Sequence, residues 1–457
     1  MTEEALIVSP AEPSGRPRFT NLLAVRGYRP LCISSWLWHT TRWGGLFSTS
    51  YLLTQIADSP LLNQIAGALI FAPMLVGGFF AGVLSDRVER RRLILRTQLI
   101  LIPISFLMFV MVASGYVRVW MTFPFMFAVG IGGLVNMTAQ RPLLYETVGP
   151  RLAAQALTIE TIAQASASVF GTVAGGVLIQ AVGIRGSFAG MTILLCISAA
   201  LLTIVPTPQA VALPATRAPL RSQLRSSAGL VTRSRRFAAM LGVTVIMNLF
   251  YFSFIPLVPV IAAQFGANAV LAGALSAMAG IGQITASAVL SFRSVRHHGL
   301  VFAVGACISF IGLLLFSSAP MFALAFLALI VAGVGQSGFA SMQSLLAIES
   351  ASESERGAAL GVLSTAIGAM PLGMILVGVA AEALGARPAL LISAGTGLAL
   401  LLWLMSRSPE LLTGAARRRA FRGFNTRSSD RRHRRNAKGM QPPVIASDET
   451  SAQWERH

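Results

Sequence analysis

The chain has 457 residues, of which 54% are hydrophobic and only 12% charged, with a mean hydropathy of +0.69. Soluble domains carry about 25% charged residues, so a soluble protein is excluded and an integral membrane protein is expected. The formal net charge of +19 does not point to nucleic acid, because the basic residues alternate with apolar spans and form no single face.

Residues 1–29 hold acids and prolines but no apolar core, so no cleavable signal peptide is expected and the segment reads as a tail. A membrane-spanning helix needs about 20 mostly apolar residues. Twelve such stretches follow, at 30–54, 62–85, 93–114, 119–140, 155–182, 186–206, 238–263, 270–292, 299–318, 320–343, 357–383 and 387–406. The narrowest separators are Gly183-Ile184-Arg185 and Ser318-Ala319. This is an all-α membrane protein with six helices in 30–206 and six in 238–406. Between them, 207–237 carries Arg217, Arg221, Arg225, Arg233, Arg235 and Arg236 without an acid. Its middle reads as a short basic helix on an anionic leaflet. The tail from 407, with Arg417-Arg418-Arg419 and Arg431-Arg432-His433-Arg434-Arg435, is expected to be disordered and to touch anionic lipid. It lacks the interleaved aromatics of an RNA-binding segment.

Nearly all arginines fall on one side of the membrane in this arrangement, and the other side holds only Arg118, Arg185 and Arg387. The positive-inside rule therefore places both termini and the 207–237 loop in the cytoplasm. Lys438 is the only lysine, so no Gly-Lys-Ser/Thr phosphate loop exists and ATP-driven pumping of that kind is excluded. His39, His297, His298, His433 and His457 make no zinc motif. Cys32, Cys196 and Cys307 stand singly in apolar stretches. Neither a metal, a cofactor nor a disulfide framework is expected.

Residues 82–92 read Gly82-Val83-Leu84-Ser85-Asp86-Arg87-Val88-Glu89-Arg90-Arg91-Arg92. Gly78, Gly82 and Asp86 recur every four residues and share a helix face, where glycine admits a close neighbour. Asp86 then sits at the membrane edge among arginines that favour its ionised form. The run matches the Gly-x-Leu-x-Asp-Arg-x-x-Arg-Arg pattern joining the second and third helices of major facilitator superfamily transporters. The chain resembles that superfamily over roughly 20–406. The resemblance implies two parallel six-helix pseudo-repeats with alternating access around a midplane site, and a gate at Gly82, Asp86, Arg87, Arg90 and Arg91.

Three short echoes six helices apart agree with a repeat. Val83-Leu84-Ser85-Asp86-Arg87 parallels Val289-Leu290-Ser291-Phe292-Arg293. Leu143-Leu144-Tyr145-Glu146 parallels Leu345-Leu346-Ala347-Ile348-Glu349, and Ala181-Val182-Gly183-Ile184-Arg185 parallels Ala383-Leu384-Gly385-Ala386-Arg387. Leu53-Thr54 through Asp58-Ser59-Pro60, Gln140-Arg141-Pro142, Gly335-Gln336, Met342-Gln343, Arg356-Gly357 and Pro371-Leu372-Gly373 resemble one branch, of enterobactin-exporter-like and macrolide-efflux-like carriers. Two departures stand out. Gly171-Thr172-Val173-Ala174-Gly175-Gly176 lacks the proline of the drug-antiporter signature, and Arg356-Gly357-Ala358 lacks a second arginine. The resemblance implies a non-enzymatic secondary carrier of the bacterial inner membrane. It would move a small amphipathic molecule outward in exchange for protons. Proton-linked uptake and a non-transporting sensor or scaffold are the alternatives.

Ionisable groups within membrane helices cost about 2.5–3.5 kcal/mol each at the centre and often mark function. Here they are His39 and Arg42 in the first helix and Glu160 in the fifth. Ser35, His39, Arg42 and Thr49 share one face, and Glu160, Gln164 and Ser168 another. Glu160 either carries a proton or forms a structural bridge. At about 1.5 Å rise per residue, Arg42 and Glu160 differ in depth, so Arg42 bridges to Glu160 only with both side chains extended; His39 and Arg141 are equally open as its partners, and all four are proton-coupling candidates. Asn136 and Gln140 in the fourth helix, Asn248 and Tyr251 in the seventh, and Gln336 and Gln343 in the tenth are candidate substrate contacts, together with Gln164. Interhelical hydrogen bonding is the competing reading for each. The second half has no charge at midplane depth, so a strongly charged substrate held by that half would lack a counter-ion, which favours a neutral or amphipathic molecule.

Overall fold

The structure, a computed structural model, describes residues 22–87, 89–206, 229–291, 295, 297–352 and 355–412, with backbone only at 76–87, 154 and 357–358. Among the described residues no strand occurs. The first half comprises α1 (Tyr28–Ile56), α2 (Pro60–Arg87), α3 (Arg90–Ala113), α4 (Val119–Val148), α5 (Pro150–Val182) and α6 (Ile184–Ile204). In the second half α7 is composite: Arg235–Ile246, a π-helical turn Met247–Tyr251, a 3-10 segment Phe252–Leu257, then Val258–Gln264. There follow α8 (Ala269–Ser291), α9 (His298–Ser318), α10 (Phe322–Glu349), α11 in two pieces (Arg356–Ile367 and Met370–Leu384), α12 (Ala386–Arg407) and the single turn α13 (Pro409–Leu412). Most of the basic 207–237 loop, the N-terminal tail to 21 and the tail beyond 412 lie outside the described residues.

The two narrow separators are real breaks with different chemistry. Gly183 adopts φ +84° between α5 and α6, and Gly385 adopts φ +90° between α11 and α12. Only glycine takes such angles without strain. The sequence echo around Gly183 and Gly385 is therefore one tight turn used twice. Between α9 and α10 the chain turns at Ala319–Met321 instead.

Two helices expected to be continuous are not. In α7 the π turn precedes Pro256, which cannot donate to a helical ladder. The freed carbonyl groups find side-chain donors: Ser393 Oγ bonds Phe250 O at 2.8 Å, and Gln64 Nε2 bonds Ser253 O at 2.6 Å. Non-helical backbone survives at membrane depth only where protein satisfies it in this way. In α11 the break at Gly368–Ala369 lies just before Pro371.

Helix α1 spans 29 residues yet is too polar to count among the apolar spans. Its neighbours explain why it is stable. Ser34 Oγ meets Ser198 Oγ of α6 at 2.9 Å, Ser48 Oγ meets Ser187 Oγ of α6 at 2.5 Å, and Ser35 Oγ reaches α5. Polar groups that bond across helices replace the water that lipid cannot supply. The first helix is buried in protein rather than exposed to lipid.

Within the first half, α1 packs on α5 and α6, and α3 on α4 and α6. In the second, α9 packs on α10 and α12, and α8 on α10. The halves join along two helix pairs, α5 with α8 and α2 with α11, which the repeat interchanges. At the first junction, a Cβ on Gly176 would come within 2.4 Å of Ala269 O, and one on Gly273 within 2.5 Å of Thr172 O. At the second, Glu382 of α11 accepts from Ser59 Oγ at 2.8 Å and from Leu61 N at 3.2 Å, capping the start of α2. Both junctions lie at the end opposite to the arginine-rich one. The halves are therefore closed there.

Candidate functional site

At the arginine-rich end, ion pairs fasten helix starts to helix ends inside each half. Arg90 at the start of α3 pairs with Glu146 at the end of α4. Arg91 donates to the carbonyl oxygens of Leu202 and Thr203, each at 2.8 Å, filling acceptors left open by the last turn of α6. The second half repeats the pattern. His298 Nδ1 at the start of α9 lies 2.7 Å from Glu349 at the end of α10, and Arg236 reaches the same carboxylate at 3.3 Å. The Leu143–Glu146 and Leu345–Glu349 echo thus encodes the acidic side of one lock in each half. Beside it, a hydrogen bond from the Ser352 hydroxyl, and then Arg233 at 3.3 Å, hold the half-buried Glu355 carboxyl below its usual range. The last turns of α2 carry Gly82, Asp86 and Arg87 in helical backbone, but their surroundings lie outside the described residues. Among the described residues no atom comes within 4 Å of a Cβ built on Gly361 of α11. Gly368 does meet α2, where an added Cβ would lie 3.3 Å from Leu75 Cα.

Deeper in the first half, α1 and α5 cross at two glycines. A Cβ on Gly171 would lie 2.5 Å from Thr40 O, and one on Gly44 would lie 3.0 Å from Gly171 O. The glycine run of α5 therefore serves two neighbours: Gly171 admits α1 and Gly176 admits α8. That crossing brings Glu160 to the polar face of α1. Ser35 Oγ donates to Glu160 Oε1 at 2.5 Å, and His39 Nε2 lies 3.9 Å from the same oxygen. His39 Nε2 is also 3.3 Å from Gln164 Nε2. Glu160 is 6% exposed, and its Oε2 and His39 Nδ1 have no protein partner. Of the two expected partners, His39 is the one in contact with Glu160, while Arg141 lies exposed on α4 two turns before its end.

Arg42 takes no part in that cluster. Its guanidinium lies against Gly133 of α4 and over the rings of Phe71 and Trp43, at 5.1 and 5.8 Å.

Two cavities lie between the halves along α1. One of about 100 Å³ is bounded by Trp43, Phe47 and Ser50 of α1, Ser168 and Thr172 of α5, Phe254 of α7, Ser276 and Gln283 of α8, and Gln336 of α10. The other, of about 130 Å³, holds His39, Arg42 and Gln164 opposite Phe71, Met74, Met137 and the break of α11 at Ile367–Met370. Drug-sized ligands occupy roughly 300–1,000 Å³, so each cavity suits a fragment of such a molecule.

Of the residues expected to line the path, His39, Arg42, Gln164 and Gln336 do so. Asn136, Gln140, Asn248, Tyr251 and Gln343 line neither cavity and are buried among helices. Asn248 Nδ2 bonds Thr244 O of its own helix at 2.8 Å, and Gln343 Nε2 reaches Thr244 Oγ1 at 3.2 Å. Tyr251 OH reaches Ala332 O and Gln336 Oε1, each at 3.3 Å, so it supports a lining residue. Asn136 borders a tight crevice with Trp38 and Gln98 inside the first half. A polar face points to a cavity or to a neighbouring helix with equal ease, and here the neighbours took five of the set. Sequence reasoning did not find the aromatic wall of Trp38, Trp43 and Phe71. Their spacing along α1 and α2 resembles any lipid-facing stripe.

A family model described as transmembrane secretion effector matches residues 22–425. No curated protein sequence matches significantly. Among solved structures, a bacterial homologue of the human lysosomal transporter Spinster, inward-facing and unoccupied, superposes with a TM-score of 0.68 at 13% identity, covering 88% of this chain and 100% of that one. The nucleoside transporter NupG gives 0.63 at 17% identity, covering 83% and 99%. A D-xylose–proton symporter gives 0.62 at 17% identity, covering 83% and 97%. At these identities the likeness establishes the major facilitator fold.

Proposed function

Because the chain belongs to the transmembrane secretion effector family of major facilitator transporters, we propose that it is a proton-coupled exporter of a small amphipathic molecule. The observation that carries the coupling is the buried Ser35–Glu160–His39 cluster at the α1–α5 crossing, beside the second cavity. A carboxyl so enclosed either shares its charge with His39 or holds a proton, because an uncompensated buried charge is strongly destabilised. Exposure to each side in turn then exchanges that proton. The arginine-rich end is cytoplasmic in this reading. The closed α5–α8 and α2–α11 junctions then make this a cytoplasm-facing state of the alternating-access cycle. The bacterial inner membrane is the expected location, with anionic lipid against the basic loop and tail.

The topology has its own test. A reporter active only in the periplasm, fused after Arg407, is expected to stay inactive; full activity would reverse the orientation. The gate has another. Asp86→Asn is expected to remove most transport, at least tenfold, with normal amounts of protein in the membrane. The carboxylate would meet the amino end of α11 when the cytoplasmic side closes, where partial positive charge favours an anion. Near-normal transport by this variant would rule out the gating role. The direction itself is tested in inverted vesicles: an exporter accumulates substrate when energised, an importer releases it, and a scaffold does neither.

A further inference from the structure

Arg42 is a cation at membrane depth for which the described residues supply no counter-ion. Among the described residues no carboxylate lies within ion-pairing distance of it; Glu160 lies beside His39 instead. Its Nε is buried without an acceptor. The rings of Phe71 and Trp43 favour a cation electrostatically but do not neutralise it. An arginine keeps its charge in proteins, and an unpaired buried charge is costly. A bound anion would remove that cost.

The surroundings are shaped for such a ligand. Gly133 leaves room for the guanidinium, since a Cβ there would lie 2.9 Å from Nε. The cavity of about 130 Å³ has Arg42 and Gln164 as donors on one side and Phe71, Met74 and Met370 as an apolar wall. It touches both halves, so a ligand held there would be felt by both.

We propose that this cavity is a carboxylate subsite. The head group of an amphipathic monoanion would bind Arg42 and the Gln164 amide, with its apolar body against Phe71, Met74 and Met370. The inference rests on reading the cavities as the transport path, and it narrows the substrate class to anions.

Binding to the purified full-length protein in lipid nanodiscs tests it without transport. The probes are N-dansyl amino acids from glycine to leucine, each compared with its own uncharged amide, read by energy transfer from the protein's tryptophans. At least one acid is expected to bind tenfold to a hundredfold tighter than its amide, the range for a hydrogen-bonded charge. Arg42→Gln should reduce that preference to within about twofold, and Arg42→Lys, lacking the planar fork, should retain part of it. If Arg42→Gln does not yield folded protein, Gly133→Ala decides, because it crowds the guanidinium and keeps the charge. No preference anywhere in the wild-type series would overturn the subsite. So would a preference unchanged in the deciding variant. Vesicles without energised flux would instead overturn the transport reading and leave this preference intact.

Discussion

Glu160→Gln is expected to abolish proton-driven accumulation while leaving substrate exchange down its own gradient. With the membrane potential clamped and one proton exchanged per solute, a gradient of about one pH unit supports roughly tenfold accumulation. The variant should show none. The amide keeps the size of the carboxyl and can still accept from Ser35 Oγ, which now bonds Glu160 Oε1 at 2.5 Å. What it loses is the ability to take up and release a proton. The α1–α5 crossing should survive, because it rests on Gly44 and Gly171 in close contact. Proteoliposome uptake with an imposed pH gradient measures both quantities. A Gln variant that still concentrated substrate would make Glu160 a bridge between α1 and α5, with the coupling group elsewhere.

Gly176→Val is expected to prevent closure of the outer end and to lower transport by at least tenfold. Its first side-chain carbon would sit 2.4 Å from Ala269 O, about 1 Å inside normal contact, and the obstacle is backbone. Helices α5 and α8 must then part. Thiol labelling reports this directly. In a protein whose Cys32, Cys196 and Cys307 are replaced by serine, Ser276→Cys places a thiol on the first cavity. A membrane-impermeant maleimide added from the periplasmic side should label it slowly with Gly176 and at least tenfold faster with valine. Equal rates would mean that α5 and α8 do not form the outer seal.

Much of the fold was legible because lipid demands about 20 apolar residues per crossing. Helix ends were less so. α4 continues to Val148 and α10 to Glu349, past their expected ends at 140 and 343. Those extra turns leave the hydrocarbon, so hydropathy does not mark them, yet they carry the acids of the two locks, Glu146 and Glu349. Pro256 and Pro371 were the available signals for the breaks in α7 and α11. The π turn at Met247–Tyr251 left no such mark; the donor that meets its Phe250 carbonyl, Ser393, comes from a helix far away in the chain.

The site divides along the same line. Periodicity put Ser35, His39 and Arg42 on one face and Glu160 and Gln164 on another. Which groups then meet depends on how α1 and α5 cross, and that is set by Gly44 and Gly171. The join of Ser59 and Leu61 to Glu382 was not visible either, because it links positions in opposite halves.

Proton-coupled export requires that outward movement of a small amphipathic molecule be driven by inward movement of protons. A strain lacking it is screened for hypersensitivity to toxic compounds. The compound so identified is then followed in inverted membrane vesicles energised to an acidic interior. The vesicles should accumulate it, and a protonophore should collapse the accumulation. Vesicles carrying Glu160→Gln should not accumulate it at all. Energised release, or no flux attributable to the protein, would contradict proton-coupled export.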